Sequence, residues 1–377
     1  MPRRPHLEIL QQGVSAWNAW RAEHPGLLPV LIQADLRGLD LREANLGAVN
    51  LRGADLREAS LSGSLLAQAD LRKSDLRGAD LSHADLRQAE LSQADLSTAY
   101  LRGVLLADAD LQGADLRQAD CSQADLSRAG LGRTQLAGAN FERSQLPEAD
   151  LRGAGGDRPC FAQANFRGAN LSRGQWLAAD FSGADLHQAD LSLADCTQGL
   201  FTAADLQGAQ LEGTTLNGAQ LAYLELPQAL LAGASLQQAN LVRANLQQAD
   251  LTGADLTGAD LTGACLREAV LAAANLSQAY LSAVDLQGAN LRRATLVQTF
   301  FMLSSNLQGA DLQGSNCQGT QFIDADLSGA DLREANLTQA RWDNAYLQAT
   351  RFGNNLGLNK RQRRKLHQRG GLFPEPL

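Results

Sequence analysis

The chain has 377 residues, of which 20% are charged and 44% hydrophobic, a composition typical of folded rather than disordered proteins. Its formal net charge is −8, and aromatic residues make up 5%, so a core must be built mainly from leucine and alanine. No apolar run approaches the roughly 18 residues of a membrane span. Five cysteines without metal-ligand spacing, and an N-terminal segment interrupted by polar residues, favour a cytoplasmic location.

Residues 1–30 are predicted to form an N-terminal cap. Over residues 6–23, apolar side chains recur at spacings of three and four, the pattern of one amphipathic helix. These side chains are Leu7, Leu10, Val14 and Trp17. A repeat array leaves an open edge at each end, so we expect the apolar side of this helix to cover the first repeat.

A five-residue repeat dominates the rest of the chain. From Leu31 to Phe301 one position in five is apolar at 54 of 55 places, and 45 of them are leucine. The exception is Gly156, and the same spacing resumes from Leu307 to Phe352 after a one-residue slip near 302–306. Alanine mostly stands two residues before each of these centre positions, and Asp or Asn one residue before it.

A five-residue period fits neither a helix nor a flat strand. In a helix, five residues rotate the side chain by about 140°, which would spread the leucines over every face. In a strand, side chains alternate with a period of two, so an odd spacing sends successive leucines to opposite faces. The chain must therefore turn about once every five residues, in a coil with short straight sides.

The rare phenylalanines indicate how many sides one coil has. A core ladder is predicted from four centre positions spaced by twenty residues: Phe141, Phe161, Phe181 and Phe201. Large side chains inside a narrow coil pack best on one another, since each coil contacts its neighbours alone. Twenty residues per coil at five per side predicts four sides.

Stretches such as "ADLTGADLTGADL" and "ADLSGADLREANL" match the signature A(D/N)Lxx. Over residues 31–352 the chain resembles the pentapeptide-repeat proteins. The resemblance implies an all-β solenoid, a right-handed quadrilateral β-helix with the centre leucine and the alanine before it pointing inward. It also implies about sixteen coils, which at about 4.8 Å per coil would span roughly 78 Å.

Two irregular segments and a C-terminal cap complete the predicted organisation. Residues 154–160 lose both the leucine and the alanine but keep the register, which indicates an irregular coil; the slip near 302–306 indicates a bend or a projecting turn. Residues 353–377 are predicted to form a cap with a short basic helix at about 359–368. Its "KRQRRK" run is interpreted as a solvated helix face; contacts with nucleic acid, an anionic membrane or acidic residues of another copy are the alternatives.

No catalytic pattern is found in the sequence. The five histidines are scattered, and no nucleophile triad, phosphate-binding glycine loop or metal-ligand spacing occurs. The aspartates follow the repeat, so we interpret them as a structural outer shell. We expect neither an enzyme nor a bound cofactor or metal.

Charge is the feature that predicts a function. Residues 174–352 carry 7 basic and 18 acidic groups, and no Lys or Arg occurs from Gly174 to Val242. Asp185, Asp205 and Glu225 share one twenty-residue column there and form the candidate acidic interaction face. Stacked like charges repel, a cost that could reflect a binding surface.

Two functions follow from these observations. The first is a non-enzymatic rigid rod that acts as a scaffold or spacer for an unidentified protein partner. The second follows from the resemblance, since some pentapeptide-repeat proteins mimic DNA and bind DNA gyrase, a topoisomerase. The acidic half would carry one net charge per ~4 Å, thin beside one per ~1.7 Å in duplex DNA. Direct nucleic-acid binding is not expected, and end-to-end or dimeric self-association is open.

Overall fold

The structure, a computed structural model, describes residues 4–374. Its regular elements are α1 (Arg4–Gln11), α2 (Val14–Glu23), β1 (Phe300–Phe301), β2 (Gln321–Phe322) and α3 (Lys360–Gln368). The chain divides into two compact units, Met1–Asp190 (unit 1) and Leu191–Leu377 (unit 2).

Both units are solenoids with a coil of twenty residues. Parallel bridges join residues twenty apart, as between Asp55 and Asp75 in unit 1 and between Asn240 and Asp260 in unit 2. A typical step is the hydrogen bond from the Leu56 amide to the Asp75 carbonyl, 2.7 Å long. The predicted solenoid and its period are thus confirmed. Long strands are absent from the described residues because the chain turns after every short side.

Each side repeats one arrangement of inward and outward residues. Leu56 and Ala54 are fully buried, and Asp55 between them points outward. The turn after each side places its second residue in the left-handed region, as at Gln88 with φ 59°. This conformation is unfavourable for a non-glycine residue. It recurs because the Gln88 amide donates to the Ala107 carbonyl of the next coil at 3.0 Å.

The N-terminal cap consists of two helices, so the prediction of a single helix over 6–23 was wrong. Gly13, with φ 104°, separates α1 from α2. Trp17 of α2 is fully buried and donates from Nε1 to the Asn45 carbonyl at 2.8 Å, while Arg21 donates to the Gly47 carbonyl. No coil precedes these carbonyls, so α2 supplies the donors that an earlier coil would have provided. Residues 1–3 of the predicted cap lie outside the described residues.

The aromatic core ladder of unit 1 lies beside its irregular coil, since residues 154–160 lead directly into Phe161. The rings of Phe141, Phe161 and Phe181 follow one another with centroids 5.4 and 5.1 Å apart, the first pair tilted and the second stacked. Phe201, the fourth predicted member, is fully buried in unit 2. Residues 154–160 keep the register, since Gly155 bridges both Gln135 and Gln175.

Two glycines, one in this coil and one in the next, stand where the core has no room for a repeat side chain. A Cβ at Gly156 would lie 2.4 Å from the Ala137 amide nitrogen, so the backbone itself fills the place of a centre side chain. Twenty residues later the centre position holds Trp176, and a Cβ at Gly174 would lie 2.4 Å from its indole. Small residues therefore stand where backbone or indole occupies the space.

The register slip in unit 2 is a one-residue insertion in a turn. Leu303 and Ser304 both have positive φ, 53° and 61°. The bridges that span this turn join residues 21 apart, as between Asp285 and Asn306, and those that follow it return to twenty, as between Asn306 and Asp326. The solenoid then continues, and β1 pairs in parallel with β2.

One step of the ladder in unit 2 is open. Among the described residues of this unit, Asp205 and Glu225 are the column neighbours that no bridge joins. Leu224 occupies the alanine position of that coil, and its amide bond to the Leu221 carbonyl is stretched to 3.4 Å. A cavity of about 10 Å³ lined by Phe201 and eight leucines lies in the core of this region. We attribute the open step to the oversized side chain at the alanine position.

This account predicts unequal costs for two neighbouring leucines. Leu226→Ala empties a centre position and should lower the free energy of unfolding by about 3 kcal/mol. Leu224→Ala restores the residue that the repeat uses and should cost less than about 1 kcal/mol. Urea unfolding of both variants measures the difference. Equal losses of stability would contradict the attribution of the open step to Leu224.

The C-terminal cap closes the last coil. Asn359 and Gln362 form a reciprocal capping box at the start of α3, and Leu366 is buried beneath the helix. Arg369 donates to the carbonyls of Trp342 and Ala345. Helix α3 is thereby fixed to the end of unit 2. Residues 375–377 of the predicted cap lie outside the described residues.

Candidate interaction surface

The outward Asp and Asn residues have a structural task in each side. Their side-chain oxygen accepts the amide of the residue two positions later, as from Thr257 to Asp255 at 3.0 Å and from Glu142 to Asn140 at 3.0 Å. This local turn bond explains why the repeat uses Asp or Asn at that position. Most of the aspartates are therefore outer-shell residues.

In unit 1 the acid is balanced by arginine. Arg57 forms a two-pronged ion pair with Asp55, with distances of 2.8 and 2.6 Å, and its Nε lies 3.5 Å from Asp75 of the next coil. Arg37 and Arg77 repeat this arrangement. The shorter contacts lie within one side, because the turn brings residue i+2 back over residue i, and the longer ones join successive coils.

These ion pairs lower the pKa of the aspartates. The hydrogen bonds from Arg37 hold the pKa of Asp35 at about 2, and those from Arg42 do the same for Asp40. Hydrogen bonds from Arg57 and Arg77 lower the pKa of Asp55 and Asp75 in the same way.

A pH dependence follows from the direction of these shifts. An Asp pKa that is lower in the folded state than the ordinary value of about 3.9 stabilises the fold fully above that value. This contribution is lost as the pH falls toward about 2, the folded pKa of Asp35. We expect the thermal unfolding midpoint, followed by circular dichroism, to stay level from neutral pH to about pH 5 and to drop below about pH 4. The triple variant Arg37→Gln, Arg57→Gln, Arg77→Gln should show a smaller drop; an equal drop would contradict this origin.

The structure changes the membership of the candidate acidic interaction face. Asp185 lies in unit 1 and forms an ion pair with Arg167, 3.1 Å away. The sequence suggested that its charge is uncompensated, and the ion pair shows that it is compensated. The pair forms because Arg167, two residues after Asn165, reaches the carboxylate of Asp185, the neighbour of Asn165 in the next coil. Asp205 and Glu225 lie in unit 2 and are both exposed.

Asp205 and Glu225 have polar but no cationic partners among residues 4–374. Asp205 accepts the Gln207 amide at 3.0 Å, and Glu225 accepts Nδ2 of Asn245 at 2.6 Å. Further along the same column of unit 2, Asp285 is paired with Arg267 at 2.8 Å. Within this column of unit 2, Asp205 and Glu225 are therefore neighbouring acidic residues without a cationic partner in the described part of the chain, beside the open ladder step.

An exposed apolar cluster in unit 2 was missed by the sequence reasoning. Tyr280 and Phe300 take the outward position that usually holds Asp or Asn, and their rings stack 5.5 Å apart at an interplanar angle of 12°. Leu303 in the inserted turn is 70% exposed. We call these three residues the aromatic ridge. The sequence signal that could have revealed this cluster is a pair of aromatic residues, twenty apart, at positions that usually hold Asp or Asn.

The described residues show no cluster suited to a metal ion, and three of the cysteine thiols are deeply buried. No group of three His, Cys, Asp or Glu side chains in residues 4–374 is arranged to hold a metal. Burial raises the pKa of the Cys317 thiol to about 12 and also raises those of Cys121 and Cys196. No helix within the same range is long and apolar enough to cross a membrane.

The profile of the pentapeptide-repeat family matches residues 30–218, 229–301 and 305–354. The chain belongs to the pentapeptide-repeat family. The two interruptions of the match, 219–228 and 302–304, contain Leu224 of the open step and the inserted turn. Among curated proteins, no relative matches this pentapeptide-repeat protein.

Solved structures of the same family resemble parts of the chain. HetL of the cyanobacterium Nostoc sp. strain PCC 7120, involved in the regulation of heterocyst differentiation, is 32% identical over 52% of this chain and 95% of its own, with a TM-score of 0.41. QnrB1, a plasmid-mediated fluoroquinolone resistance protein, is 18% identical over 54% and 91%, with a TM-score of 0.32. A pentapeptide-repeat protein of the Arabidopsis thaliana thylakoid lumen is 30% identical over 31% and 71%, with a TM-score of 0.14.

Proposed function

We propose that this pentapeptide-repeat protein is a non-enzymatic, cytoplasmic interaction scaffold that holds a protein partner on outward-facing columns of its solenoid. The right-handed quadrilateral coil, with about sixteen turns in all, is part of this proposal. The observation that carries it is the aromatic ridge. Stacked aromatic side chains stand there in a column that is otherwise mostly polar, beside a projecting leucine.

The solenoid suits such a role because it fixes each outward side chain in advance. Most sides within each unit are bonded to the coils before and after them, so outward residues stand at intervals of about 4.8 Å along a column. A partner that binds pre-ordered side chains loses little conformational entropy. Exposed aromatic residues contribute strongly to protein interfaces because they bury a large area with few rotatable bonds.

A second candidate function is DNA mimicry toward DNA gyrase or another topoisomerase. The uncompensated pair Asp205 and Glu225, in a stretch without Lys or Arg, favours it. Charges spaced by coils of about 4.8 Å are sparser than the phosphates of DNA. The scaffold therefore stands as the leading proposal.

Salt separates the two candidates. We expect the purified protein to capture its partner from native lysate at both about 0.1 M and about 0.5 M salt, because burial of the aromatic ridge is not screened. A mimic would capture a topoisomerase at the lower salt alone. Asp205→Lys with Glu225→Lys should leave scaffold binding unchanged and abolish mimicry; Asp250→Lys with Asp260→Lys is the matched control. Failure to capture any protein at either salt would contradict both candidates.

The aromatic ridge itself is tested by restoring the ordinary residue of the repeat. Tyr280→Asn with Phe300→Asn should weaken capture at least about tenfold, equivalent to about 1.4 kcal/mol. Asn is common at this position, so the fold should remain. Tyr100→Asn, which removes an exposed tyrosine from unit 1, is the control and should bind normally. Undiminished capture by the double variant would contradict the assignment of this surface.

A further inference from the structure

A groove lies between α3 and the last coil of unit 2. It has a volume of about 530 Å³ and is lined by residues including Arg341, Trp342, Lys365, Leu366 and Arg369. We call it the terminal groove. Leu366 and the capping box fix α3 in place, so both walls of the groove are ordered.

The cations around the terminal groove are not equivalent. Arg341 is paired with Asp343 at 2.8 Å, and Arg369 is occupied by two backbone carbonyls. The remaining cations belong to α3, and none of them forms an ion pair within residues 4–374. They are Lys360, Arg361, Arg363, Arg364 and Lys365. Helix α3 therefore presents a dense positive charge without an internal counter-charge.

One residue of the groove lining has a donor without an acceptor. The indole Nε1 of Trp342 is buried and has no hydrogen-bond partner. An unsatisfied buried N–H group is costly, so an incoming acceptor would gain more here than at an exposed donor. Lys365 lines the same groove, and a lysine together with such a donor is suited to a carboxylate, which carries negative charge and accepts hydrogen bonds.

The complementary carboxylates are found on the same chain, but outside the reach of α3. Asp205 and Glu225 are exposed and lack cationic partners. Six bridge steps separate Glu225 from Tyr346 in its column, a distance of about 29 Å. A helix of nine residues is about 13.5 Å long. These carboxylates can therefore reach a terminal groove only on another copy.

We propose that α3 and the terminal groove of one copy bind the Asp205–Glu225 surface of a second copy, so that the protein self-associates head to tail. The total charge of −8 opposes approach to nucleic acid or an anionic membrane, and because a second copy carries the same net charge, its binding depends on local charge complementarity. A second copy instead brings together the acidic and basic regions that each copy leaves uncompensated. The proposal is independent of the partner bound by the aromatic ridge.

Sedimentation velocity of the full chain tests the proposal. We expect concentration-dependent association at about 50 mM NaCl, with the dissociation constant rising at least tenfold at about 500 mM because of screening. The variant Lys360→Gln, Arg361→Gln, Arg364→Gln, Lys365→Gln should remain monomeric. Its control, Arg102→Gln, Arg133→Gln, Arg158→Gln, Arg173→Gln, removes the same charge from unit 1 and should associate like the native protein. Equal association of both variants would overturn the proposal.

A charge exchange establishes which surfaces meet. Arg364→Glu with Lys365→Glu, and separately Asp205→Lys with Glu225→Lys, should each abolish self-association, with circular dichroism confirming that both variants are folded. An equimolar mixture should form heterodimers, because the native α3 of one variant meets the native carboxylates of the other. A mixture that stays monomeric would overturn the proposal. Tighter binding of native protein to a DNA duplex or to phosphatidylserine vesicles than to itself would also overturn it.

Discussion

Replacing Phe161 with alanine is expected to lower the free energy of unfolding by about 3–5 kcal/mol. Phe161 is fully buried at the centre of the aromatic core of unit 1. Its ring lies 5.4 Å from that of Phe141, 5.1 Å from Phe181 and 5.7 Å from Trp176. The rings above and below are held by their own coils, so the cavity left by alanine cannot collapse.

Phe161→Leu is the matched control, because leucine is the ordinary residue at this position. It retains most of the buried volume and should cost no more than about 1.5 kcal/mol. Urea unfolding followed by far-ultraviolet circular dichroism measures both variants. Similar losses for the two variants would show that the stacked rings do not carry the stability assigned to them.

Replacing Gly156 with leucine is expected to destabilise unit 1 by about 3 kcal/mol, although it restores the repeat. From the sequence alone this change completes the leucine pattern and should stabilise the protein. In the structure a Cβ would lie 2.4 Å from the amide nitrogen and 2.7 Å from the Cα of Ala137. Because both atoms belong to the backbone of the preceding coil, neither can move away as a flexible side chain would.

The control for Gly156 is a leucine introduced where the pattern has room. Cys121→Leu supplies the ordinary residue at a centre position of unit 1 and should change stability by less than about 1.5 kcal/mol. Thermal unfolding of both variants gives the comparison. A Gly156→Leu protein as stable as the native one would show that the coil can relax at this point.

The solenoid was predictable because one period controls every coil. The spacing of Phe141, Phe161 and Phe181 was enough to derive the twenty-residue coil that the bridges confirm. The position of Trp176, two residues after Gly174, could also have explained that glycine. Once the period is known, the size of the residue at each core position indicates which neighbouring positions have room for a side chain.

Other features depend on geometry that the repeat does not encode. The ion pair between Arg167 and Asp185 requires knowing how far a side chain reaches toward the next coil. Gly13 divides the N-terminal cap although the apolar spacing continues across it. The terminal groove arises from the way α3 packs on the last coil, which no five-residue pattern describes. These are the places where the sequence reasoning failed or was silent.

The coil of twenty residues underlies the aromatic ridge, the acidic pair and the core ladder alike, and one engineered cysteine tests it. Cys265 is half-buried, free and bridged to Asp285, so its Cα should lie about 4.8 Å from that residue, within the range that a disulfide spans. The variant Asp285→Cys should form the Cys265 disulfide on mild oxidation, detected by mass spectrometry of the digested protein. Val270→Cys, nearer in sequence but on the following side, should stay reduced. A disulfide in the second variant but not in the first would contradict the twenty-residue coil.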